Sequence, residues 1–486
     1  MHEKIILALV IVGGLFQTTM NAQELPDKKS ILEKMLLANR YFMEKWPDPG
    51  LNIVTDKVRP SNIWTRATYY EGLMALYSID PEEEFYDYAV EWGESHSWEP
   101  AYGGITRNAD NQCCGQTYIE LYLLDNQAER ILPIKACIDL MVNSTQSDDW
   151  WWIDAVQMAM PIFAKLGAIY NDSACYEKMF DLYYYTKTVQ GTSGLYNPAD
   201  HLWWRDASFT PPYTTPDGLN CYWSRGNGWV FAALARVLDV LPADAPHREE
   251  YLNTFVEMAE MLVGLQRPDG FWNPSLVDSN DYGGMETSGT AFFTYGLAWG
   301  INNSILSPEL CKPSVVKAWN GMANEALHSN GFLGYVQGTG KQPSDGQPVT
   351  YDKVPNFEDY GLGGFLLAGS EVYKMAPDTA DTIPVTFRDD VIIMHEPIIL
   401  HVFPNPFREV LDISLNLKEY SEPVITIYDM NGKKLFEDRP LAINHKGSYR
   451  ITWNGIDFSG NPVPAGLYII CAKACYECKT HIICKL

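Results

Sequence analysis

Between Asp27 and about Ala376, two kinds of helical pattern alternate along the chain. One kind carries a single apolar stripe and a charged face, the signature of a surface helix. The other is apolar or small nearly all round, as a buried helix is. The first kind is predicted at Ser30 to Trp46, Tyr86 to His96, Ile131 to Asn143, Cys175 to Val189, Arg248 to Gln266 and Pro313 to Ser329. The second follows each in turn, at Trp64 to Tyr77, Cys114 to Leu124, Asp154 to Leu166, Gly226 to Leu241, Ser288 to Ile301 and Tyr360 to Lys374. Small residues (Gly72, Gly115, Ala155, Gly228, Gly289, Gly363) would let the inner members pack closely. Outer–inner hairpins that close on themselves make an (α/α)6 toroid, all-α, with the inner N-termini around one mouth. An open helical solenoid is the alternative.

After Ala376 the period changes from helical to alternating. A linker, 377–397, precedes short strands at Ile398 to Phe403, Val410 to Leu415, Val424 to Tyr428, Tyr449 to Trp453, Gly466 to Ala472 and Lys479 to Cys484. Turn signals at Asn431-Gly432 and Ser459-Gly460 separate some of them. The expectation for 398–486 is a small all-β sandwich of immunoglobulin-like type, separate from the helical domain at 23–376.

Composition narrows the function. The 486 residues are 46% hydrophobic, enough for a large core, and carry a net charge of −25 without a long basic run. That argues against nucleic acid and anionic membrane surfaces as partners. An acidic ligand stays open, because a local arginine outweighs distant screened charge. Met1 to Ala22 reads as a secretory signal, with Lys4 before the apolar run Ile5 to Phe16. No later stretch is long enough for a membrane span. Of ten cysteines, Cys113, Cys114, Cys137, Cys175, Cys221 and Cys311 fall in the helical region and read as buried thiols. Cys475-x2-Cys478 invites a zinc reading, but no second well-spaced pair accompanies it.

The loops before the inner helices are long and aromatic, with Trp98, Tyr102, Trp150, Trp151, Trp152, Trp203, Trp204, Tyr222, Trp223, Phe271, Trp272, Tyr282 and Phe357. Indole faces on one side of a scaffold suit sugar rings. The run Trp223-Ser224-Arg225-Gly226-Asn227-Gly228-Trp229 sets one guanidinium between two indoles at a helix start, a natural seat for a carboxylate. Two core tryptophans at a helix start is the plainer account. Asp154 opens an inner helix behind Trp150, Trp151 and Trp152, whose indoles would desolvate it and raise its pKa, as a general acid requires. Asp110 lies just before the second inner helix and should face the same mouth. Two carboxylates there suit acid/base work on a glycosidic bond, although helix capping explains either one alone. His201 could bond a substrate hydroxyl or be an ordinary loop histidine. Arg205 and Asp206 read as an ion pair fixing the loop, and Glu286 and Asp359 as caps. No metal cluster, serine triad, phosphate loop or dinucleotide fingerprint stands at convincing spacing, so neither metal nor cofactor is expected.

The central motif, together with Asp-Ala-Val-Gln-Met-Ala-Met-Pro at 154–161, Ser-Gly-Thr-Ala at 288–291 and Tyr-Gly-Leu-Gly-Gly-Phe at 360–365, resembles glycoside hydrolase family 105. The resemblance runs from about Ile31 to Met375. It implies an (α/α)6 barrel that hydrates the C4=C5 double bond of a terminal unsaturated uronic acid, the product of a polysaccharide lyase. It also implies Asp154 as the acid/base, Asp110 as the second aspartate, and Trp223, Arg225, Trp229 and His201 as substrate contacts, with Trp152 counted beside them. The tail, through Val402 to Phe407, Tyr428 to Gly432 and Pro464 to Tyr468, resembles a C-terminal sorting domain of type IX secretion. That implies export, with the secretion machinery as partner. A polysaccharide-binding module is the competing account of the tail. For the helical domain, an ordinary two-carboxylate glycosidase, an inactive sugar-binding protein and a sugar epimerase remain open beside the unsaturated uronyl hydrolase.

Overall fold

The computed structural model describes residues 24–357, 359–378, 398–403, 407–408, 410–417, 424–429, 433–438, 447–458, 460–474 and 477–485. The expected signal segment, most of the linker, the Asn431-Gly432 turn and Cys475 of the zinc reading lie outside these residues. Two units divide near 381/382.

The helical unit consists of hairpins in which a striped helix precedes a buried one. They are α1 (Lys28–Lys45) with α2 (Trp64–Ile79), α3 (Glu83–Ser95) with the short α4 (Ala109–Gln112) and α5 (Gly115–Leu124), and α6 (Leu132–Val142) with α7 (Asp154–Tyr170). Next come α8 (Ser173–Thr188) with α9 (Ser224–Val240), α10 (Arg248–Leu265) with α11 (Thr287–Asn302), and α12 (Pro308–Gly321) with α13 (Asp359–Met375). Helix α1 buries only Ile31, Met35, Ala38, Asn39 and Phe42, one face at helical spacing. Helix α7 is buried at every position from Asp154 to Gly167. Capping residues start several outer helices. Asp27, Asp172 and Ser307 accept from backbone N–H groups of α1, α8 and α12.

The inner helices form a closed ring. α2 packs on α5, α5 on α7, α7 on α9, α9 on α11, α11 on α13, and α13 returns to α2. The closing contact is backbone against backbone. A Cβ on Gly72 would run into the Gly363 carbonyl, and one on Gly363 into the Thr68 carbonyl.

Some boundaries differ from expectation for local reasons. α3 starts at Glu83, ahead of its first buried side chain. Its first turn holds Glu83 and Glu84, which complement the helix dipole but give no apolar signal. α12 starts at Pro308 behind the Ser307 cap and runs through Pro313 before a π turn at Met322–Ala326. The four-residue α4 is too short to leave a periodic trace.

Charge is buried inside the ring. Glu71 on α2 accepts from Gln157 Nε2 of α7 at 2.8 Å and lies 3.6 Å from Arg236 of α9. Arg236 also donates to Gln116 Oε1 at 2.9 Å and Glu120 Oε1 at 2.9 Å on α5, and Lys165 of α7 pairs with the same Glu120. Two carboxylates are thus balanced by two cations. Burial pushes Glu71 up to about 7 against the pull of Arg236. Burial alone would also raise Glu120, yet Lys165 and Arg236 together hold it below its ordinary value.

The second unit has two antiparallel sheets. One orders its strands 398–403, 411–417, 447–453, and the other 477–485, 466–474, 424–429, 434–438. Alternate residues (Leu411, Ile413 and Leu415; Ile425 and Ile427; Tyr468, Ile470 and Ala472) share one core with Phe407 and Trp453. The strand Lys434–Asp438 was not anticipated. It is an edge strand of five residues, three of them charged, where pairing on one side suffices. Cys471 is disulfide-bonded, whereas the six cysteines of the helical unit are free and buried.

Removing one cation from the buried lattice should expose its cost. Arg236→Met leaves Glu71 and Glu120 sharing Lys165 alone, so a loss of about 3–5 kcal/mol in stability to denaturant is expected. A change within about 0.5 kcal/mol would mean that the lattice is not electrostatically coupled.

Candidate active site

The mouth is made where the inner helices begin. Asp154 is the first residue of α7, Asp110 lies in α4 beside it, Ser224 and Arg225 open α9, Thr287 opens α11 and Asp359 opens α13. Free N–H groups and dipoles of these helices therefore point to one end of the ring.

Asp154 is placed by a crossing of two loops. Trp152 forms an isolated antiparallel bridge with Asp206, and Ile153 N donates to Arg205 O at 3.0 Å. That crossing delivers the Arg205 guanidinium to the start of α7, where Nε donates to Asp154 Oδ2 at 2.9 Å and Nη1 to Asp206 Oδ2 at 2.8 Å. Asp154 is 8% exposed. Its burial raises its pKa, and Arg205 opposes the rise. Asp110, half-buried, is pushed up to about 7 by burial and then by the charge of Asp154, again against Arg205. The two predicted carboxylates thus feel one another and the same Arg205 charge. The sequence pairs Arg205 with Asp206, which the structure bears out. Its link to Asp154 depends on the loop crossing, for which the sequence carries no signal.

The three tryptophans before Asp154 do not act alike. Trp150 is fully buried against Phe163 and Trp152 is 5% exposed, while Trp151 is 50% exposed. Of the three, only Trp151 reaches solvent, while Trp152 is held against the crossing loop by its bridge to Asp206.

The central motif is buried as a block. Arg225 was expected to meet a substrate carboxylate, but its fork is filled from within. Nη1 donates to Gln337 O at 2.8 Å and to Ser288 Oγ at 3.2 Å, and Nη2 donates to Gly338 O at 2.7 Å. The guanidinium lies over the Trp223 and Tyr360 rings at 4.4 and 4.8 Å. Trp223 donates to Gln337 Oε1 at 2.9 Å, and Trp229 is packed among Trp64, Phe292 and Tyr360. Asn227 clamps the preceding loop, accepting from Trp203 N at 2.8 Å and donating to Trp203 O at 3.0 Å. In this geometry the motif shapes the mouth, and its side chains are closed to solvent. Half-buried Trp64, stacked on Tyr360, brings an indole to the start of α2 that the sequence reading did not count as a site residue.

His201 stands apart. It adopts φ +51°, and its Nδ1 lies 3.1 Å from Tyr196 Oη and 3.5 Å from Glu257 of the outer helix α10. These contacts hold the 196–203 hairpin against α10 and give His201 no tie to Asp154. Glu286 is a cap, accepting from Ser288 N and Gly289 N of α11.

A ring of helix hairpins with a carboxylate pair and indoles at its mouth defines the class as a helical-toroid glycosidase. The chain belongs to Glycosyl Hydrolase Family 88, whose model matches residues 35–376. The motifs resemble family 105; the family model that matches is numbered 88, and solved family 105 structures share its fold. A solved family 105 hydrolase from C. acetobutylicum shares the fold at 20% identity (TM-score 0.56, 70% of this chain and 99% of that one). A family 88 structure from Bacteroides vulgatus is 32% identical, with a TM-score of 0.65, covering 72% of this chain and 99% of its own. An unsaturated 3S-rhamnoglycuronyl hydrolase of Formosa agariphila is 31% identical over 392 residues, 76% of this chain and 98% of that protein. Residues 401–483 match the secretion system C-terminal sorting domain. Among the described residues, no helix is long and apolar enough to cross a membrane.

The raised pKa of Asp110 has a measurable consequence. Its folded value, about 7, exceeds its ordinary 3.8. Between those values the folded chain holds a proton that the unfolded chain has lost, so stability falls as pH rises through the window. Asp110→Asn should therefore raise the melting temperature at pH 8 more than at pH 5. An equal shift at both pH values would show that Asp110 titrates normally.

Proposed function

We propose that this protein is an unsaturated uronyl hydrolase. It hydrates the C4=C5 double bond of a terminal unsaturated uronic acid on lyase-generated oligosaccharides, and the resulting hemiketal opens to release the next sugar. The observation that carries this reading is the Asp154–Arg205–Asp110 unit at the mouth, two carboxylates of raised proton affinity on a family 88 ring. The name of the Formosa agariphila relative supports the same substrate class.

The double bond is a vinyl ether conjugated to a carboxylate. It needs a proton at C4 and water at C5, and a single group that donates and then accepts can serve both steps. Asp154 takes that role. Burial favours its protonated form, while Arg205 stabilises the carboxylate left after transfer. Asp110 is the second carboxylate, held protonated by burial and by the charge of Asp154 beside it. The uronate is favoured by the helix N-termini and by Arg205, whose Nη2 makes no hydrogen bond among the described residues. Arg225 is a positioning residue that fixes Gln337 and Gly338. In the second unit, two sheets around one core within the sorting-domain match support an immunoglobulin-like sandwich that addresses the protein to type IX export, with the mature enzyme outside the cell.

Asp154→Asn keeps the shape and removes the exchangeable acid, so a loss of at least ~10²-fold in kcat is expected. Product made in heavy water should carry deuterium at C4, and in oxygen-labelled water the label should enter first at C5. Label at the anomeric carbon would instead establish direct glycosidic hydrolysis.

Deleting residues 398–486 should leave the rate on unsaturated oligosaccharides unchanged and abolish export. Loss of activity in a folded truncated chain would turn the tail reading toward a substrate-binding module.

A further inference from the structure

We propose that Trp151 is the platform on which the second sugar ring, the one released, stacks. This rests on the proposed function, which puts the unsaturated ring against Asp154. Of the three consecutive tryptophans only Trp151 is half exposed, and its place beside the reacting carboxylate is fixed rather than incidental. The Arg205 guanidinium that binds Asp154 lies over the Trp151 ring at 5.7 Å, so one side chain links the exposed indole to the reacting carboxylate. Trp152 supports the indole from within at 4.6 Å and 50°. The backbone around it is anchored at both ends. Asp149 makes a bidentate pair with Arg107 (2.7 and 2.5 Å), Trp150 O accepts from Thr186 Oγ1 at 2.6 Å, and Ile153 N donates to Arg205 O.

A half-exposed indole held by a cation and a neighbouring indole is pre-organised for the flat face of a pyranose, and loses little entropy on binding. Among the described residues, the exposed Tyr102, Tyr213 and Tyr282 make no hydrogen bond to Asp154 and no cation–π contact with Arg205. Trp151 can therefore discriminate among leaving sugars without touching the ring that reacts.

The test compares two substrates of the full-length protein, an unsaturated uronyl disaccharide and the methyl glycoside of the same unsaturated uronide, which lacks the second ring. Loss of the double bond's ultraviolet absorbance reads both. Trp151→Ala should lower the disaccharide-to-methyl-glycoside ratio of kcat/KM by about 10-fold, mainly through KM, and Trp151→Phe should restore most of it. An unchanged ratio, whether both substrates suffer equally or neither does, overturns the proposal and leaves Trp151 as packing for Arg205. Wild-type protein that consumes neither double bond overturns the underlying functional reading instead.

Discussion

The contact on which the helical unit depends is the one that closes its ring, α13 on α2, where glycine backbone meets glycine backbone at Gly72 and Gly363. Side chains at either position would hold the first and last inner helices apart, and a chain of hairpins without that contact would be an open solenoid. Outer–inner alternation gives every inner helix the same polarity, and closure converts the linear repeat into a ring. The starts of α7, α9, α11 and α13 thereby arrive at one mouth although they are far apart in sequence. A buried lattice of Glu71, Arg236, Glu120 and Lys165 ties four of the inner helices together across the interior. Such a lattice is costly to dehydrate and is stable only when every member is paired.

At the mouth, two arginines divide the work in a way their sequence contexts do not suggest. Arg225 lies in the most distinctive motif of the chain, and its fork is spent on the carbonyls of Gln337 and Gly338. Arg205 lies in a loop without a recognisable motif, and its fork joins Asp154 to Asp206. A buried guanidinium over two rings orders structure. One that remains partly accessible beside an aspartate tunes its proton affinity. Desolvation raises and Arg205 lowers both Asp110 and Asp154, and the charge of Asp154 raises Asp110 further.

Hydrophobic period alone, read along the residues, determined the six outer–inner hairpins, the switch to alternating strands after 376, and the place of Asp154 at an inner-helix start. Burial is a property of whole helix faces, and whole faces leave a periodic trace. Short or edge elements left none. The four residues of α4 and the charged edge strand 434–438 are fixed by neighbours rather than by their own pattern. The exposure of Trp151 but not Trp150 or Trp152, the retirement of Arg225 into the core, the contact of His201 with Tyr196 and Glu257 and the arrival of Arg205 beside Asp154 were decided by tertiary structure alone. Each depends on which loop crosses which. The bridge between Trp152 and Asp206 brings together residues more than fifty positions apart, and side-chain direction at such a crossing follows from the crossing, not from the local residues.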